Sequence, residues 1–218
     1  MNYSHTLYES LKTLYEEKGL AGSFIDDNSY LKTAFVETEL MWTQNLRQLT
    51  KIKCIIIGEA PFWGDKKNYV YNPDRCNTQF FTRNDLGKEL GLLIKDKIQF
   101  IELCQQIGLV FIDTFPFSLN KKFTKLNFQK MNEYDYHNLF KMTVNHFFMD
   151  KITILLPRCT IETKIAFRYT RTKDYLGELI IEYLIESTIL QPSNLPIISL
   201  SKQGGHINRS LLSNFLTL

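Results

Sequence analysis

Lys53-Cys54-Ile55-Ile56-Ile57-Gly58-Glu59-Ala60-Pro61 is an apolar run that meets a glycine, a carboxylate, an alanine and a proline. Residues 54–57 are too few for a helix, and their β-branched content fits a strand covered on both faces. Gly58 and Pro61 punctuate a turn, so the strand stops abruptly and presents Glu59 at its carboxyl end. In open α/β sheets, ligands bind at that end of the strands. Taken alone, these residues are better read as an ordinary strand-to-helix turn with a solvated glutamate, and the functional reading rests on distant partners.

Three more short apolar runs supply those partners. Leu109 to Ile112 ends in Asp113-Thr114-Phe115-Pro116, Ile152 to Leu156 ends in Pro157-Arg158, and Pro196 to Leu200 ends in Ser201-Lys202-Gln203-Gly204-Gly205-His206. Helical spacing separates them over Asn84 to Gln106, Tyr134 to Phe148 and Tyr175 to Ile185, and closes the chain at Leu211 to Leu216. Two further helical patterns, through Leu7, Leu11, Leu14 and Tyr15 and through Leu31, Phe35, Trp42, Leu46 and Leu49, precede the first strand. Alternating strands and helices imply right-handed crossovers and a parallel sheet. A four-stranded parallel sheet would deliver Glu59, Asp113, Arg158 and His206 to one edge. The stretch from Phe62 to Thr82 has no clear periodicity and is long for a structureless connection, which marks it as a functional loop.

Composition sets the frame. A chain of 218 residues with 44% hydrophobic content buries a substantial core, and its length suits one α/β domain, with helices over residues 1–50 and a core over 51–218. No apolar run reaches the roughly 18 residues needed to cross a bilayer, and the amino terminus has no apolar signal segment, so a soluble, cytoplasmic protein is expected; a monomer is taken as the default, with nothing in the sequence to fix the oligomeric state. Cys54, Cys76, Cys104 and Cys159 form no C-x-x-C pair, which indicates neither a zinc knuckle nor a disulfide framework. No metal or other cofactor is expected. The net charge of +3 is weak evidence for an anionic partner. Lys121, Lys122, Lys125 and Lys130 lie among Phe115, Phe117, Phe123 and Phe128, a mixture that suits phosphates and bases. It equally suits a solvated loop whose aromatics pack inward.

The groups at the strand ends suggest hydrolytic chemistry. Glu59 can hold and polarise a water if its surroundings raise its pKa toward neutrality. His206, after two glycines, can donate to negative charge on a leaving group. Asp113 ends a strand that should be buried, where a carboxylate is costly unless it is paired or reads a ligand. Phe80 and Phe81 offer a stacking surface, although such pairs are more often core.

These residues resemble the uracil-DNA glycosylase superfamily, whose first motif is a strand followed by G-[QE]-[DA]-P and whose last is a histidine-led loop after the final strand. Gly58-Glu59-Ala60-Pro61 matches the first in its glutamate-alanine form, and His206 stands at the second. The resemblance runs from about residue 50 to the end. It implies a three-layer α/β sandwich with a central four-stranded parallel sheet, a DNA partner, and extrusion of a base whose N-glycosidic bond is hydrolysed to leave an abasic site. It makes Glu59 and His206 catalytic, assigns base stacking to Phe80 or Phe81 and base reading to Asp113, and places Gly58, Ala60 and Pro61 against the base. Arg158, Lys202 and Arg209 would contact phosphates. The chain departs from the family by reading His206-Ile207-Asn208-Arg209 where proline and a small residue usually follow the histidine. It also lacks the closely spaced cysteines with which glutamate-alanine branches often hold an iron-sulfur cluster.

Asp113 is the departure with most chemical content, because uracil-excising relatives generally carry asparagine at the reading position. An amide donates to uracil O4 and accepts from N3–H, whereas an ionised carboxylate only accepts. The amino group of cytosine suits an aspartate, with a proton for N3 supplied by a neutral Asp113 or by the base itself. The expectation is therefore a monofunctional glycosylase for cytosine-type bases, modified ones in particular, with antiviral defence against hypermodified bacteriophage DNA as one role. Plain uracil repair and a catalytically inactive DNA-binding protein of the same fold are the alternatives. Neither a G-x-G-x-x-G nor a Walker-type loop is present to support nucleotide binding.

Overall fold

A computed structural model describes residues 3–74, 83–191, 195, 197–201 and 206–217. Four parallel strands form one sheet: β1 (Cys54–Gly58), β2 (Leu109–Asp113), β3 (Lys164–Phe167) and β4 (Ile198–Ser199), in the order β2-β1-β3-β4. The register pairs Gly58 with Asp113 and Ile57 with both Ile112 and Phe167. The chain therefore moves outward one way from β1 to β2 and the other way from β2 to β3 and β4. Right-handed crossovers then place helices on both faces, and the strand order reverses beside β1, where such sheets form a crevice.

The helices are α1 (His5–Glu17), α2 (Ala21–Arg47), α3 (Arg83–Leu90), α4 (Lys97–Ile107), α5 (Glu133–Thr143), α6 (Phe148–Leu155), α7 (Thr170–Glu186) and α8 (Arg209–Leu216). α1 packs on α5, α5 on α7 and α3 on α8, giving an α/β fold with a sheet flanked by helices. Local signals fix several ends. Asn132 and Asp135 form a reciprocal capping box that starts α5, and Gly108 at φ 71° ends α4 and turns directly into β2. No described helix is long and apolar enough to cross a membrane.

One strand differs from the sequence expectation. Ile152 to Leu156 is not a strand: Ile152 and Leu155 are buried while Thr153 and Ile154 between them are exposed, and Phe148 and Lys151 complete the buried face of α6. That period is helical, because a strand covered on both faces would hide every residue. The third strand lies further on, at Lys164–Phe167, where four residues were too short a signal to read.

Arg158 is displaced with it. Its Nε donates to Leu49 O (2.9 Å), and its carbonyl accepts from Ile52 N (2.9 Å), both just before β1. It therefore sits at the amino-terminal edge of the sheet, opposite Glu59, and Arg168 ends β3 in its place. The expected helix from Asn84 to Gln106 is two, α3 and α4, and the 134–148 pattern breaks after Thr143 into a single 3-10 turn before α6.

Candidate functional site

At the carboxyl edge, backbone bonds bind the ends of β2, β1 and β3 together. Gly58 O accepts from Thr114 N (3.0 Å) and Thr114 Oγ1 (2.8 Å), Glu59 O accepts from Phe115 N (2.9 Å), and Ile57 O accepts from Arg168 N (2.7 Å). Glu59 and Asp113 are thereby presented side by side on neighbouring strands. Both line a narrow recess of about 50 Å³, together with Gly58, Ala60, Phe62, Tyr69, Arg168 and Tyr169. That volume has room on the order of four water molecules. Glu59, Ala60, Phe62 and Tyr169 also line a wider groove of about 450 Å³ that carries Pro61, Asn120, Lys121, Phe128 and Arg171.

Glu59 is tightly held. The Tyr136 hydroxyl, from α5, donates to Glu59 Oε1 in a short hydrogen bond. Burial raises the Glu59 carboxyl above its ordinary range, and the Tyr136 bond and the Arg171 cation pull it partly back. Arg171 is itself fixed: it donates to Phe128 O (2.8 Å) and Met131 O (2.5 Å), and its guanidinium stacks 4.8 Å from the Tyr136 ring. One carboxylate oxygen of Glu59 is thus occupied by Tyr136. The arrangement leaves the other for a water or ligand.

Asp113 is pushed the same way. Burial raises its pKa to about 7, Lys151 lowers it and Glu39 raises it. Lys151 and Glu39 are a buried ion pair (2.5 Å, 0% and 3% exposed), and the ammonium lies 4.4 Å from the Trp42 ring and 4.5 Å from that of Phe147. A carboxyl at about 7 is divided between an acid that donates and a carboxylate that only accepts at neutral pH.

The other expected site residues divide. Gly58, Ala60 and Pro61 stand with Glu59 as expected. His206 leaves the same edge on the loop after β4, but it is exposed and lines neither cavity. Arg209 begins α8, half exposed, with Nε 3.8 Å from Glu89 Oε1. Phe80, Phe81 and Lys202 lie outside the described residues. Of the Lys/Phe stretch, Phe115, Phe117 and Phe128 are buried, so those aromatics pack inward, while Lys121 reaches the groove and Lys122 pairs with Asp65.

Four residues of the site carried little signal in the sequence. Arg168 and Tyr169 follow a strand misplaced by a dozen residues; the correct helical reading of 148–155 would have directed attention to them. Tyr136 reads as one more apolar position on a helix, and Tyr69 as part of an aperiodic loop. Among the described residues no cluster of three or more His, Cys, Asp or Glu side chains could hold a metal ion. Comparison of the chain with protein-family models, with curated proteins and with solved structures found no match.

Proposed function

We propose that this chain is a monofunctional DNA glycosylase that extrudes a cytosine-type base, reads it with Asp113 and hydrolyses its N-glycosidic bond with Glu59. The observation that carries the reading is that Glu59 and Asp113, each raised by burial, line one recess at the switch point of a parallel sheet. The Gly58-Glu59-Ala60-Pro61 resemblance supplies the reaction class. A base edge in this recess would lie beside Asp113, among Phe62, Tyr69 and Tyr169.

In this mechanism Glu59, ionised and anchored by Tyr136, orients a water toward the sugar and offsets the positive charge that develops there. Lys121 and Arg171 in the adjoining groove provide cations for phosphates of the flanking strand. Asp113 accepts from the base's amino group, and in its neutral form also returns a proton to the ring nitrogen. His206 enters only through the resemblance, as donor to the departing base. Defence against DNA with modified cytosines is a role that fits this chemistry.

The raised Asp113 pKa also favours a second reading, uracil excision. A neutral carboxylic acid can donate to O4 and accept from N3–H as an asparagine does. The two are separated by assaying release of uracil, cytosine and 5-substituted cytosines from DNA at pH 6 and pH 8.5, with wild type and Asp113→Asn. Cytosine-type release, shifted toward uracil by Asp113→Asn, is expected. Release of uracil alone, indifferent to Asp113→Asn, would sink the cytosine reading, and release of no base would sink both.

A further inference from the structure

Tyr69 lines the recess beside Asp113, yet it is 2% exposed and its hydroxyl has no hydrogen-bond partner among the described residues. A buried hydroxyl left unpaired is costly, and each such group calls for a binding role, strain or a bridging molecule to account for it. The turn that carries it is fixed by its own backbone bonds, with Lys67 in the left-handed region at φ 46°. Tyr69 N donates to Lys67 O (2.9 Å) and Tyr69 O accepts from Asn72 N (3.1 Å). Its ring meets the edge of Tyr71 at 5.8 Å, and the Tyr71 hydroxyl is fixed by Phe111 N (2.6 Å) on β2, two residues before Asp113.

The hydroxyl also keeps its proton. Burial first, then the neighbouring Asp113 and Glu39 carboxyls and Tyr71, hold this phenol far above its ordinary range. It is therefore a neutral hydroxyl, able to donate, on a residue that lines the same recess as Asp113. An ionised Asp113 can take the amino hydrogen of a cytosine-type edge but offers nothing to the acceptor beside it.

We infer that Tyr69 is a second specificity-determining residue of the recess, its hydroxyl donating to the acceptor that neighbours the amino group read by Asp113. This rests on the glycosylase reading for the identity of the ligand and deepens it: the pair presents one acceptor and one donor, the complement of a cytosine-type edge. Losing the donor leaves a buried acceptor on the base unpaired, which corresponds to about 5- to 100-fold in affinity.

Wild type and Tyr69→Phe are titrated calorimetrically with free cytosine and free uracil, assayed for base release from DNA containing cytosine and 5-substituted cytosines, and melted. Tyr69→Phe is expected to bind cytosine about 5- to 100-fold more weakly, with a Tm equal to or above that of wild type, since the change deletes a hydroxyl unpaired in the free protein. Equal cytosine binding by the two proteins overturns the inference, as does binding of neither base by wild type. A lowered Tm with intact binding also overturns it, by assigning the hydroxyl to Glu39. Cytosine binding that Tyr69→Phe weakens, without base release from any DNA, leaves the role of Tyr69 standing and removes the glycosylase reading instead.

Discussion

Gly58 and Asp113, register partners on adjacent strands, approach so closely that a Cβ built on Gly58 would lie 2.9 Å from Asp113 Oδ1. The missing side chain of Gly58 is therefore the space in which the Asp113 carboxyl sits. Gly58→Ala must push that short side chain aside within a packed recess. Base release is expected to fall by about 100-fold from misplacement of order 1 Å, with a loss of roughly 1–3 kcal/mol in stability from overpacking. Single-turnover assays alongside urea denaturation check this, and an Ala variant that reads bases normally refutes it.

The Tyr136 hydrogen bond lowers the pKa that burial raises at Glu59. On the proposed mechanism Glu59 works ionised, and burial raises its pKa, so activity should decline as pH falls through that raised value. The Tyr136 bond lowers it, and Tyr136→Phe should therefore move the acidic limb of the kcat/KM profile to higher pH, with about a tenfold loss near neutrality. An unmoved limb would show that the hydrogen bond does not tune the base.

Asp113 should make stability depend on pH in a direction opposite to that of most carboxylates. Its folded pKa, about 7, lies above the ordinary value of 3.8, so the folded state holds the proton more tightly. Stability associated with this group is then complete at acid pH and is lost as pH rises from about 4 through 7. Asp113→Asn, which mimics the neutral acid, should match wild type near pH 4.5. At pH 8.5 it should be more stable by on the order of 2–4 kcal/mol. Thermal melts across that range measure the difference, and a constant offset would contradict the assignment.

Lys151 and Glu39 support the site from beneath. Lys151→Met leaves the buried Glu39 carboxylate uncompensated and should cost roughly 3–5 kcal/mol, most of it restored in the Glu39→Met/Lys151→Met double variant. Removing Lys151 also withdraws the cation that lowers Asp113, so the Asp113 titration should shift upward in the single variant. Denaturant melts of wild type and the two variants test the first statement and carboxyl NMR the second.

Reading 53–61 and 109–116 as strands with polar ends located Glu59 and Asp113 correctly, because a short β-branched run closed by turn residues has few alternatives in so apolar a chain. The same reasoning misplaced β3. The run 152–156 imitates a buried strand, and its helical character is visible only when Phe148 and Lys151 are counted with it. Lys151 is the residue that misleads: a lysine at 0% exposure does not look like a core position until its partners Glu39, Trp42 and Phe147 are known. Arg158 was carried to the wrong edge of the sheet by that single period error.

By itself the sequence determined that β1 and β2 are covered strands, that they alternate with helices, and that each ends in a carboxylate. These follow from local periodicity and turn chemistry, which act over a few residues. Only the tertiary structure decided what those carboxyls face: Tyr136, 77 residues from Glu59 along the chain, Tyr69 on an aperiodic loop, and a Lys151–Glu39 pair spanning 112 residues. Their effect on Glu59 and Asp113 comes from burial and short-range electrostatics. Such forces depend on distance in space, and no local pattern of residues encodes that distance.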